Sequence, residues 1–190
     1  LEKIIKDWPL VIDNAKWLVI GTIPLASEIS SPAFLWCIEN ALDAGIKIVL
    51  DLNWRPTFWR NQSSKVLAPS LQEKNTIISI LNHVSLIKLA REEAHWFFNN
   101  SNPSKISSSL PNKPSVIVTD GSNPILWLLN NHIGKSFAIS PPSIVDTTGA
   151  GDSFTAGLIY KLLSIELDQI SKERAEEIIQ FATACGAHVC

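Results

Sequence analysis

Apolar residues recur along this chain in two rhythms, and the rhythm changes from segment to segment. Lys16 to Gly21 and His83 to Lys88 read as short strands, Ile46 to Leu52 as a buried strand after the helix-stopping Gly45, and Ser115 to Thr119 as a continuous apolar strand covered on both faces. Between them the spacing turns helical. Pro32 to Ala44 and Arg91 to Phe98 predict helices, and Ser64 to Leu81 is helical in places with a break at Pro69. Ile125 to Asn130 and Lys135 to Ile139 predict a hairpin around Asn131-His132-Ile133-Gly134. Two helices follow, Asp152 to Leu163 and one capped by Ser171, whose Ala175, Ile178, Ile179, Ala182 and Cys185 share a face. The Ser/Asn/Pro-rich stretch Asn99 to Pro114 reads as the nearest thing to a mobile connection. Strands alternating with helices imply an α/β fold, a mainly parallel sheet sandwiched by helices, with ligands beyond the carboxyl ends of the strands.

Composition narrows this picture. With 190 residues, 46% hydrophobic and 18% charged, the chain can bury one substantial core, so one compact domain or the larger part of one is expected. The formal charge of −2, with Lys and Arg scattered, argues against a nucleic-acid footprint and against a polybasic membrane surface, so any phosphate site must be local. Cys37, Cys185 and Cys190 have no metal-like spacing and read as reduced thiols, while His83, His95, His132 and His188 read as structural or surface residues. The longest apolar stretches, such as Trp17 to Ile23, are far shorter than a membrane span, and no basic-then-apolar leader opens the chain. A cytoplasmic location, or the plastid stroma in a eukaryote, is expected. The start at Leu1, the absence of Met and the stop at Cys190 inside an apolar helix read as a single domain over 1–190 truncated at both ends.

The strongest chemical signal lies in Val145 to Lys161, where a small-residue turn, an acid and an apolar helical run follow one another. Gly149, Ala150 and Gly151 lack bulk, so the backbone can turn sharply and aim N–H groups at one point, where the positive end of the next helix adds its field. Phosphate oxygens belong there. Asp152 falls in the first turn of that helix, placed to take a proton from an attacking hydroxyl. A plainer reading is that Thr147, Thr148 or Asp152 simply caps the helix. The run Asp146-Thr147-Thr148-Gly149-Ala150-Gly151-Asp152 with Ala156-Gly157-Leu158 resembles the C-terminal signature of the PfkB, or ribokinase-like, carbohydrate kinases. The resemblance implies a ribokinase-like, Rossmann-like three-layer fold whose N-terminal part and lid are missing here. It gives Gly149, Ala150 and Gly151 the anion hole and Asp152 the role of base.

The resemblance also orders the remaining motifs. Asp51-Leu52-Asn53-Trp54-Arg55-Pro56-Thr57-Phe58-Trp59 begins as a strand ends, so its polar side chains should face the crevice. Asn53 can bond a hydroxyl or phosphate oxygen, and Arg55 offers a planar fork for phosphate. Preceded by Gly21-Thr22-Ile23-Pro24-Leu25-Ala26, this pattern is similar to that of the fructokinase branch. Trp54, Phe58 and Trp59 read as core rather than sugar platform. Lys88 can offset nucleotide charge, and Glu93 aligns with an acid that acts through water on magnesium, although Ala90 stands where that motif often has Asn. Two acids in a first helical turn, favoured by its dipole, are the blander reading of Glu92 and Glu93. Thr119-Asp120-Gly121-Ser122-Asn123-Pro124 resembles a nucleotide turn whose last Gly is replaced by Pro124, leaving Thr119, Gly121 and Ser122 as nucleotide contacts. Asp146 and Thr148 would contribute to a monovalent-cation site.

Together these imply an ATP- and Mg2+-dependent sugar kinase, with K+ as a further ion, fructose as the favoured sugar and a homodimer formed through the missing lid. A 2-keto-3-deoxygluconate kinase, a ribokinase, or a related scaffold without catalysis are the alternatives. The late position and spacing of the Gly motif argue against a Rossmann dehydrogenase.

Overall fold

The computed structural model describes residues 2–60, 67–141, 144 and 146–190. Val145 and the expected helical start at Ser64 lie outside the described residues. Six strands form one sheet in chain order: β1 (Trp17–Ile20), β2 (Lys47–Asp51), β3 (Leu86–Ala90), β4 (Ser115–Asp120), β5 (Asn123–Leu129) and β6 (His132–Ser136). The first four are mutually parallel, and β5 and β6 continue as antiparallel strands. Helices α1 (Glu2–Ile12), α2 (Ser31–Asp43), α3 (Pro56–Trp59), α4 (Leu71–Leu81), α5 (Arg91–Phe98) and α6 (Pro103–Ser108) precede β5, and α7 (Ala150–Leu162) and α8 (Lys172–His188) follow β6.

Period-two alternation explains how both faces of the sheet are covered. Ile48, Leu50, Ile87, Leu89, Val116 and Val118 join one apolar cluster with Ile38 of α2, Ile77 and Leu81 of α4, Phe97 of α5 and Ile106 of α6. Val49, Leu86, Ile117 and Trp127 point the other way, into a second cluster with Phe154 and Leu158 of α7 and Ile178, Ile179 and Ala182 of α8. The layers are therefore helix, sheet, helix, as expected. Close packing fixes the α7–α8 pair. A Cβ on Gly186 would come within 2.9 Å of the Ala150 carbonyl, and one on Gly157 within 2.7 Å of the Cys185 sulfur.

Three sequence expectations shift. The hairpin turns at Asn130-Asn131, both with positive φ (44° and 64°), rather than over Asn131 to Gly134. This is the backbone that a two-residue type I′ turn demands and asparagine tolerates. Gly134 instead sits inside β6 opposite Trp127, where a Cβ would meet the indole ring at 1.9 Å. The stretch Asn99 to Pro114 is ordered around α6, because Asn102 Oδ1 accepts from the Ser104 and Lys105 N–H groups and Pro103 occupies the first helical turn. Phe58 is 60% exposed rather than core, whereas Trp54 is buried, with its ring tilted against Trp59 and edge-on to Phe97.

The chain after β2 is held by a charge clamp. Arg60 pairs with Glu73 through Nε at 2.7 Å and through Nη2, and Glu73 also closes the capping box of α4 with Ser70. The Arg60 guanidinium holds the Glu73 carboxyl down at about 2, against an ordinary value of 4.5. An acid depressed on folding contributes stability that is complete above its ordinary pKa and is lost as pH falls toward the folded value. We expect Glu73→Gln to lower thermal stability by a constant amount at and above about pH 4.5, with the gap to wild type closing as pH drops toward 2. Melting curves from pH 3 to 7 check it, and a gap that widens on acidification would contradict the clamp.

Candidate active site

The carboxyl ends of β1 to β4 lie along one rim of the sheet, and α7 begins beside them. Gly149 is the N-cap of α7 with φ of 85°, a left-handed backbone open to glycine and with nothing within 4 Å of a would-be Cβ. The turn before it is built by Asp146, whose Oδ1 accepts from the Thr148 N–H at 2.9 Å and the Thr148 hydroxyl at 2.8 Å. Those two bonds, the backbone one foremost, hold the Asp146 carboxyl below its ordinary value. The Ala150 N–H donates to the Thr147 carbonyl at 3.2 Å, so it closes the turn. The N–H groups of Gly151 and Asp152 have no acceptor among the described residues and open from the first turn of the helix, as an anion cradle requires. Asp152 is exposed in that same turn.

Asp152 lines a cleft of about 500 Å³ together with Asp51, Asn53, Thr155, Gly21 and the apolar Val19, Ile159 and Tyr160. Parity places its polar floor. Asp51 shares a face with Val49, and Lys88 with Leu86, so both point toward α7, and they are paired in register at the strand ends. The Lys88 ammonium lies 3.0 and 3.1 Å from the two Asp51 carboxylate oxygens, and both residues are buried. A Cβ on Gly151 would fall 3.0 Å from that ammonium. Thr155, one turn into α7, places its hydroxyl 2.9 Å from Asp51 Oδ2 and 3.0 Å from the Gly151 carbonyl.

The other expected residues distribute unevenly around this centre. Asn53 takes a positive φ of 43° just past β2 and reaches the cleft. Arg55 does not line it. Its side chain is exposed and donates from Nη1 to the Trp54 carbonyl at 3.2 Å. Glu93 is buried, with Oε1 accepting from the Trp54 N–H at 2.6 Å and Oε2 from the Ala90 N–H at 2.7 Å, so it ties the loop after β2 to the end of β3. Burial pushes its carboxyl up, and those two N–H groups and Lys88 oppose the rise. Thr119 is the last residue of β4 paired with β3, and Gly121 (φ 55°) and Ser122 form the tight turn between β4 and β5. Pro124 sits within β5 and leaves that turn intact. Arg91 Nη1 to Asp120 Oδ2, at 2.9 Å, steadies the turn from α5. Among the described residues no group of three or more His, Cys, Asp or Glu is arranged to hold a metal, and no helix is long and apolar enough to cross a membrane.

Sequence reading missed Asp51 as a partner of Lys88, and missed Thr155 altogether. The signal for the first was present in the parity of the two strands, while the second depends on how α7 sits over the sheet.

Comparisons with known proteins identify the family and the fold. A family model described as pfkB family carbohydrate kinase matches residues 6–190, and the chain belongs to that family. It is 30% identical over 183 residues to probable fructokinase-2 of Arabidopsis thaliana, covering 93% of this chain and 52% of that relative. With probable fructokinase-6, chloroplastic, of the same plant it shares 29% identity over 194 residues, covering 98% of this chain and 47% of the relative. The chain thus spans about half the length of the curated relatives it matches. Its fold superposes on the crystal structure of a fructokinase from Vibrio cholerae O395, a form with fructose, ADP and calcium bound, with a TM-score of 0.73 at 23% identity over 91% of this chain and 54% of the other.

Proposed function

We propose that this chain is the nucleotide-binding portion of a longer sugar kinase that moves the terminal phosphoryl group of ATP to a primary hydroxyl, most readily that of fructose. The observation that carries the proposal is the α7 start, where the open N–H groups of Gly151 and Asp152, the Asp152 carboxylate and the Lys88 ammonium converge beside one cleft. Asp152 accepts the proton of the attacking hydroxyl. The Gly149 to Gly151 backbone receives the charge that develops on the phosphoryl oxygens, and Lys88 sets a fixed positive charge against it. Asn53 orients the sugar or a phosphate oxygen from the cleft wall, and Thr119, Gly121, Ser122 and Thr148 contact the nucleotide. For Arg55 to join them, its side chain would have to leave the Trp54 carbonyl.

Magnesium, when present with the nucleotide, neutralises phosphate charge. Glu93 would act on magnesium through water with the lone pairs left over from its two backbone bonds, and Asp146 would take part in a monovalent-cation site. The fructokinase relatives support fructose over an acid sugar, and the plant relatives, one of them chloroplastic, suit either the cytoplasm or the plastid stroma. Steady-state kcat/KM on fructose, ribose, glucose and 2-keto-3-deoxygluconate, measured on the longer protein, tests the assignment. Fructose should lead by about tenfold or more over each of the others. A lead for the acid sugar would move the reading to a 2-keto-3-deoxygluconate kinase.

A further inference from the structure

Two buried residues beneath the anion cradle have no role in the scheme above. Asp51 and Thr155 are only 7% and 5% exposed, and Lys88, between them and Gly151, is 8% exposed. An ion pair buried in this way is a poor stability device, because removing two charges from water costs as much as their attraction returns. Its position is the informative fact. Both Asp51 oxygens lie on one side of the ammonium, so at least one of its three N–H groups has no acceptor among the described residues. Gly151 leaves room for the ammonium, since any side chain there would meet it at 3.0 Å. Thr155 completes the arrangement. Its hydroxyl faces both Asp51 Oδ2 and the Gly151 carbonyl, so the carboxylate that holds Lys88 is tied to the same turn of α7 that presents the open N–H groups.

We infer that Asp51 and Thr155 are positioning residues, which hold the Lys88 ammonium at a fixed distance from the cradle so that it reads the terminal phosphate of a nucleoside triphosphate. The inference rests on the phosphoryl-transfer reading of this site. Asp51 touches no reacting atom and acts through Lys88; Thr155 locks Asp51 to α7. A lysine on a four-carbon stem is otherwise free to wander, and misplacement by an ångström in such a centre costs large factors in rate. Because the charge faces the terminal phosphate, its removal should weaken ATP binding far more than ADP binding.

The test uses the longer protein, with kcat and KM measured alongside calorimetric binding of ATP and ADP. Lys88→Met and Asp51→Asn are each expected to lower kcat about tenfold or more, with KM for the sugar nearly unchanged, and to erase most of the preference for ATP over ADP. Asp51→Asn placed on top of Lys88→Met should then cost almost nothing further, because both remove one device. Thr155→Val keeps both charges, so it stays informative where Asp51→Asn folds poorly; it should lower kcat about threefold to tenfold, with Thr155→Ser restoring it. Full additivity of the Asp51 and Lys88 changes, or Asp51→Asn and Thr155→Val with wild-type kcat and nucleotide preference, would overturn the inference. Should no sugar be phosphorylated, the kinase reading fails separately and binding decides. Loss of ATP-over-ADP preference in Asp51→Asn still supports the device, and an unchanged preference overturns it.

Discussion

Asp152→Asn in the longer protein is expected to lower kcat at least a hundredfold while ATP still binds. The side chain is exposed in the first turn of α7 and lines the cleft, so asparagine keeps its shape and cannot accept the hydroxyl proton. A positioned base is worth roughly a hundredfold to ten-thousandfold, which sets the floor of the effect. The neighbouring N–H groups of Gly151 and Asp152 itself are backbone, unaffected by the change, and this is why binding persists. Stopped assays on fructose beside ATP calorimetry separate the two consequences. Turnover within a factor of about three of wild type would remove Asp152 from the chemistry.

The second large effect is on the fold rather than the reaction. Trp127 is fully buried at the centre of β5, packs against the cluster shared with α7 and α8, and donates from Nε1 to the Ser136 hydroxyl at 3.0 Å. Gly134 opposite it has no side chain, and the indole fills that space. Trp127→Ala therefore leaves a cavity and an orphaned Ser136, at a cost of about 3–5 kcal/mol. For a unit of this size that lowers Tm by roughly 6–20 °C. Ile133→Ala, on the exposed side of the same hairpin, should shift stability by no more than about 0.5 kcal/mol. Equal melting temperatures for the Trp127 variant and wild type would show that β5 and β6 do not support the α7–α8 layer.

The two large effects also mark what could be read from residues alone. The apolar spacing predicts a helix over Arg91 to Phe98 and α5 forms over the same residues, and Ser171 caps α8 by accepting from the Arg174 N–H. Those signals are local. Strand parity was equally readable and already contains the Asp51 and Lys88 pairing, since each stands two residues beyond an apolar neighbour that faces α7. What escaped depended on distance in the chain. Thr155 reaches Asp51 across 104 residues, and only the seating of α7 on the sheet brings them together. The hairpin went astray for a different reason: Gly134 looks like a turn residue by composition, and its actual function is to leave room for Trp127. Glu93 is legible as an acid at a helix start, and its bond from the Ala90 N–H is local, but its bond from the Trp54 N–H, 39 residues away in the chain, appears only when β2 and β3 are side by side.

The central claim, that the turn at Gly149 to Asp152 is where a phosphoryl group changes hands, is tested most directly by following label. The longer protein is incubated with fructose and ATP labelled in its terminal phosphate, and the products are separated. The account predicts label in fructose 6-phosphate, appearing with magnesium and falling at least a hundredfold in Asp152→Asn. ATP bound at the site with no label passing to any sugar would contradict it, and would leave the chain as part of a ribokinase-like scaffold.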